Sequence, residues 1–303
     1  MFWYNQSHHR VVMLRSNLTI RDVQHELLGG SHMTQKSPRS SPGRRRPDPD
    51  PPPISIPEFS TTLRWLRESR GLSREEAAIV LEFSAVHLGR FERGESLPSA
   101  KFMELIISGY RLGPAMAAHL RDLAIPAIQL SPAPYLRTWV QRDPSLLSNL
   151  DRFQTRNIPA AYVDPLWNVL AHNDLFAEVL PGIGESRSLP VWMFTDTGKA
   201  AVVDPEAEGA WSVSMLKGIM GKYRDSEQAR ELVTALTPNE EAQRFWAAGS
   251  DISFGRDSRF LLHAHSPGGV PVSYQLTLTE SILAHHIQLF TATPEPYSGP
   301  EIT

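Results

Sequence analysis

The sequence predicts an α+β chain, in which an N-terminal all-α bundle of five helices is followed by an α+β domain built on an antiparallel sheet. Three observations carry this. Between residues 59 and 123, apolar residues recur at spacings of three and four and are punctuated by helix-capping residues. Beyond Pro126, aromatic residues become frequent and short apolar runs flank turn signals. The first 53 residues show neither pattern. With 303 residues, 41% of them hydrophobic, the chain has material for about two domains. The expected division is a disordered extension and linker over 1–55, the bundle over 56–126, the α+β domain over 134–296 and a tail over 297–303.

Residues 36–53 combine a Ser/Pro/Arg run (Arg44, Arg45, Arg46) with alternating Pro and Asp and then three prolines. That composition buries too little to order itself and reads as a solvated linker. Met33 offers a second start, so residues 1–32 carry no weight in the fold. The bundle begins with Phe59, Leu63 and Leu66 on one helical face and Arg64, Arg67 and Arg70 on the other. Gly71 ends this helix. Ser73 with Glu76 three residues later is a capping box that opens a second helix to about Leu81. Ser84 caps a third, which turns Leu88 and Phe91 inward and closes at Gly94. Pro98 and Ser99 lead into a fourth carrying Phe102, Leu105 and Ile106, and a fifth runs over 114–123.

In the second domain, 157–163 and 167–171 read as short strands around the Asp164-Pro165 turn, and 211–223, 226–236 and 239–248 read as helices. The segments 260–265, 271–278 and 285–293 alternate or run apolar between turns, which predicts an antiparallel meander.

Composition also excludes functions. There is no cysteine, so disulfides, thiolate zinc sites and thiol catalysis are ruled out, in keeping with a reducing, cytoplasmic setting. No apolar run is long enough to span a bilayer, and no membrane partner is expected. The net charge of −3 rules out coating nucleic acid along the whole chain, so any DNA contact must be local. Gly182-Ile-Gly184 lacks the third glycine of a dinucleotide loop, and no metalloprotease, nucleophile-elbow or phosphate-cradling motif occurs. His263 and His265 share one face of a predicted strand, with His285-His286 near in sequence, but no patterned carboxylate joins them into a metal site. No enzyme activity, metal or cofactor is expected.

The stretch from Leu63 through Ser73-Arg-Glu-Glu-Ala-Ala78, then Phe83-Ser-Ala-Val-His-Leu-Gly-Arg-Phe-Glu-Arg-Gly94 and Leu97-Pro98-Ser99, resembles the Xre/phage-repressor helix-turn-helix family. A helix of about ten residues with its first turn uncovered fits a major groove roughly 12 Å wide, while the preceding helix rests on the backbone. The resemblance implies double-stranded operator DNA as partner. It sets Ser84 as the cap of the recognition helix, places Ala85, Val86, Gly89 and Arg90 toward the bases with His87 beside them, and puts Arg74 at a phosphate. Arg90 suits a bidentate guanine contact, whereas Ala85 and Val86 can only meet thymine methyls. Two features depart from the family. Glu82 occupies a turn position usually held by glycine, and residues 58–95 hold six arginines against seven glutamates. Affinity would therefore lean on a homodimer and on the Arg44–Arg46 arm.

The second domain resembles the MmyB-like ligand-binding domain through Pro159-Ala-Ala-Tyr-Val-Asp-Pro-Leu-Trp-Asn-Val-Leu-Ala-His-Asn173, Met193-Phe-Thr-Asp196, Phe245-Trp246 and Ile287-Gln-Leu-Phe290. The resemblance implies a PAS-like fold that senses a small apolar molecule of the fatty-acid kind. The expectation is that this domain mediates dimerisation and that a bound ligand shifts the helix-turn-helix dimer between two geometries. Residues expected to line the ligand site are Trp167, Phe176, Phe194, Trp211, Leu216, Phe260 and Tyr274, with Asn173, Arg259 and Tyr274 as candidates to orient a carboxylate or carbonyl. Any one of these aromatics is more often ordinary core than ligand contact. The competing class is a helix-turn-helix protein-interaction module, such as an antitoxin or adaptor, without a small-molecule ligand.

Overall fold

The computed structural model describes residues 53–248, 252–257, 260–266, 268–280 and 286–301. The arginine triplet 44–46 and most of the expected extension lie outside them. At Ile54, one residue before the expected end of that extension, the side chain is already buried in the core of the second domain.

The bundle consists of α1 (Phe59–Glu68), α2 (Arg74–Val80), α3 (Ala85–Glu92), α4 (Ala100–Gly109) and α5 (Pro114–Leu123). Its boundaries follow from side-chain chemistry. Ser73 Oγ accepts from Glu76 N at 3.1 Å while Ser73 N donates to the Glu76 carboxylate at 2.7 Å, closing the capping box at the head of α2. Gly71 and Gly94 take the left-handed φ values of 68° and 71° that terminate α1 and α3. Leu63, Leu81, Leu88, Ile106 and Leu120 are fully buried between the helices, each contributing about 1.5–3 kcal/mol.

Next come two helices that the sequence reading did not assign, α6 (Ala133–Arg142) and α7 (Pro144–Thr155). Strands β1 (Ala160–Val163) and β2 (Val169–His172) form a hairpin, and four short helices follow: α8 (Asp174–Val179), α9 (Ile183–Ser186), α10 (Leu189–Trp192) and α11 (Asp196–Ala201). The long α12 (Pro205–Lys222) precedes α13 (Glu227–Leu236) and α14 (Glu240–Ala247). The chain ends in β3 (Leu262–His265), β4 (Pro271–Glu280) and β5 (Gln288–Glu295), which pair as the expected meander. The hairpin adds to β5, giving one antiparallel sheet in the order β2-β1-β5-β4-β3. The whole is α+β as the sequence predicts.

Two expectations change. Trp167 does not begin a strand: the Asp164 carboxylate captures the N–H groups of Leu166 and Asn168, each at 2.9 Å, and the resulting tight turn delays β2 to Val169. Phe260 is 60% exposed ahead of β3, because pairing with β4 starts only at Leu262.

α12 also joins the two halves of the protein. A Cβ on Gly221 would lie 2.9 Å from His119 Cε1 on α5, so only glycine admits this approach. Arg224 donates to the carbonyls of Asp122, at 3.2 Å, and Ile125, and Ile128 N donates to Lys222 O at 2.9 Å. Burial at this seam pushes His119 down to about 4, so its imidazole is neutral over the ordinary pH range. No helix of the described residues is long and apolar enough to cross a membrane.

Candidate functional site

The first candidate surface is the tip of α3. Ser84 Oγ accepts from His87 N at 3.3 Å and fixes the start of the helix. Leu88, Phe91 and Glu92 face inward, whereas Val86 is 72% exposed and Ser84, His87 and Arg90 also face solvent, with Ala85 half-buried. The His87 ring leans back toward Phe102, with centroids 5.2 Å apart, so it borders the tip rather than crowning it. Gly89 is buried, and an added Cβ would meet Arg93 Nη1 at 3.0 Å and Arg74 Cδ at 4.0 Å. The Arg93 guanidinium and the aliphatic stem of Arg74 therefore cover Gly89, which was expected to face the bases. The arginine there, Arg93, was not among the expected contacts; the packing room left by glycine was the available signal.

Beneath the tip lies one fully buried carboxylate. Arg67 donates to Glu92 from Nε at 2.6 Å and from Nη2 at 3.1 Å, and Arg74 Nε donates at 2.8 Å. Burial alone would raise the Glu92 carboxyl, but the hydrogen bonds from Arg67 and then Arg74 outweigh it and hold the group below the usual carboxylate range. Arg64 Nη2 adds a bond to Glu92 O at 2.7 Å. Glu92 thus ties α1, α2 and α3 together and orients Arg74, whose side chain remains 40% exposed. Arg90 is held only loosely, its Nε 4.0 Å from Glu95, so it can swing to a partner. The flank is less welcoming to phosphate. Glu82 sits in the turn at φ 56°, and Glu75, Glu76 and Glu82 are exposed around Ile79, which is 80% exposed.

The second candidate is the aromatic core of the α+β domain. Trp167 meets Trp211 with centroids 5.9 Å apart and Phe290 at 5.6 Å, and Phe290 meets Phe176 at 5.7 Å, all edge to face. Three of the expected ligand residues, Trp167, Trp211 and Phe176, therefore come together around Phe290. Phe290 was not foreseen as a site residue, although its place in an apolar run of the last strand marked it as inward-facing. Phe194 instead packs on Phe245 at 6.2 Å, and Leu216 and Tyr274 are buried within the same core cluster. Phe260 is excluded by its exposure. Asn173 is engaged in structure, accepting from Ala160 N and Phe176 N at 3.0 Å each and donating to Ile158 O at 2.8 Å, so its oxygen is fully used and it anchors β1 and the head of α8. Arg259 lies outside the described residues.

Trp167 is held at φ 67°, a conformation costing a non-glycine residue about 1–2 kcal/mol. The Asp164 turn enforces it. Asp164 also accepts from Asn168 Nδ2 at 2.9 Å and Gln228 Nε2 at 3.5 Å, and burial pushes its carboxyl up to about 6 against these bonds. Arg256 covers the Trp211 ring at 4.3 Å and is paired with Glu208. The described residues include grooves of about 530 and 360 Å³, the former between Phe59, Phe91, Leu97 and Leu123 of the bundle and Arg224 and Arg230 beyond it. None of the seven expected ligand residues lines either groove. The His263 Nδ1 atom lies 2.9 Å from Ser273 Oγ, and no metal-holding group of side chains occurs among the described residues.

A capped recognition helix rooted in a five-helix bundle, followed by helices across an antiparallel sheet with an aromatic core, defines a two-part DNA-binding regulator. Family models agree: residues 58–120 match a helix-turn-helix domain and residues 143–301 match the MmyB-like transcription regulator ligand binding domain. The chain belongs to the MmyB-like transcription regulators. No curated protein matches it.

Proposed function

We propose that this regulator reads operator DNA as a homodimer through Ala85, Val86, His87 and Arg90, with Arg74 on a phosphate, and that a fatty-acid-like molecule bound in its C-terminal domain controls it. The observation that carries the DNA reading is the exposed Val86–Arg90 tip standing on a helix braced from below by Glu92. Charge supports dimerisation: six arginines against seven glutamates over 58–95 give a single head little non-specific hold, which a second head would add to. The cysteine-free chain suits the reducing cytoplasm where such a regulator meets DNA. A ligand acts only if it binds one arrangement of the two halves better than the other, and α12 is suited to register it, because Trp211 lies on α12 and the same helix packs on α5.

Selection of bound fragments from random DNA, followed by gel shift, tests the reading. Arg90→Ala should abolish sequence preference, a loss of about 1–3 kcal/mol of discrimination, with the melting temperature of the bundle kept. Unchanged preference would discard Arg90 as the base reader. The acidic and apolar flank around Ile79 favours the second reading, a protein-interaction module. Pull-down of a protein partner together with featureless footprints on DNA would decide for it.

A further inference from the structure

We propose that Trp167 is the polar anchor of the ligand site, its indole N–H donating to an oxygen of an otherwise apolar ligand; this rests on the reading that the C-terminal domain binds such a molecule. Trp167 is only 8% exposed, yet its Nε1 has no hydrogen-bond partner among the described residues. Buried indole N–H groups ordinarily find one. The rings it meets edge-on, Trp211 and Phe290, offer at best a weak π acceptor that an oxygen would displace. A second observation is independent of the first. The backbone at Trp167 is held at φ 67°, where glycine or asparagine would sit without strain, by an Asp164 carboxylate that is itself wholly buried. The turn is therefore built around an indole at this spot, and a smaller residue would satisfy the backbone better.

The surroundings define the ligand's chemistry. Phe176, Trp211 and Phe290 supply apolar walls, and the other unpartnered buried donor beside Trp211 is Arg256 Nε, whose guanidinium stacks on that ring. Two donors without acceptors call for a carbonyl or carboxylate oxygen. Because Glu208 already neutralises Arg256, a net negative charge is not required, and an ester should serve as well as an acid.

Melting titrations of the full chain test this with decanoate, methyl decanoate and 1-chlorodecane, which share a chain but differ in their oxygen. The two oxygen-bearing probes should bind wild type about tenfold tighter than the chloride, the worth of one buried hydrogen bond. Trp167→Phe, whatever it does to the apolar contact shared by all three probes, should remove most of that difference, and Trp167→His, which keeps a ring N–H, should restore part of it. If Trp167→Phe fails to fold, the wild-type ranking and the histidine variant decide. Equal binding of the three probes to wild type, or an intact preference in Trp167→Phe, overturns the anchor while the ligand-binding reading stands. Binding of no probe to wild type overturns both.

Discussion

Glu82 shows how a single residue can work against the element it belongs to. It occupies the turn between α2 and α3 at φ 56°, where a glycine would be free of strain, and its carboxylate is exposed next to the recognition helix. Glu82→Gly should raise stability by about 1 kcal/mol, read as a higher melting temperature, and should tighten DNA binding by removing a charge that repels phosphate. A melting temperature that falls would mean that the carboxylate makes a stabilising contact outweighing the strain. Gly89 teaches the opposite lesson. Its missing side chain makes room for Arg93 and Arg74, so the surface of the helix at this point is formed by its neighbours' side chains.

Among the elements, those announced by a capping side chain were legible. Ser73 and Ser84 accept the expected backbone N–H at the head of α2 and α3, and Ser226 and Asn239 do the same for α13 and α14, whose starts were read correctly. Pro114 opens α5 where expected, but three other helices with an early proline were harder to see. Pro134 and Pro144 lie in the first turns of α6 and α7, and Pro205 opens α12 two turns before its apolar pattern becomes evident, because proline reads as a breaker until its place at the helix start is known. Of the candidate surfaces, the capped helix α3 was legible from Ser84, and Trp167, Trp211 and Phe176, named together from the chain, do converge around Phe290. The Asp164 turn could not, since it depends on which backbone N–H groups a buried carboxylate collects. The seam of α5 and α12 was hidden for the same reason: nothing local in Gly221 names His119 as its neighbour. Gly221→Val should force the helices apart at a cost of about 1–3 kcal/mol. If α12 couples the halves, the variant should keep its DNA affinity but lose any ligand response, which a gel shift with and without decanoate would measure; an unaltered response would remove α12 from that role.

Across the whole molecule, the two halves carry buried carboxylates with opposite pH linkage. Glu92 is held below its ordinary range by Arg67 and Arg74, so the folded head binds fewer protons than the unfolded chain. Its stabilisation is present above the unfolded value and is lost as pH falls through the folded one. Asp164 is raised by burial to about 6 from an ordinary 3.8. Its contribution is fully present below the lower value and is lost as pH rises through the higher one. The variants separate these effects. Glu92→Gln should destabilise the bundle by roughly 3 kcal/mol at neutral pH, because two arginines lose their charged partner, and by progressively less below the carboxylate range. Asp164→Asn should be least damaging at neutral pH, where it replaces a costly buried charge, and should flatten the dependence of stability on pH between about 4 and 6. Urea unfolding of the full chain and both variants across pH 3.5 to 7 reads both slopes. Parallel slopes in wild type and Asp164→Asn would show that Asp164 titrates as it does in water, and the wholly buried turn that holds Trp167 would then have to be open to solvent.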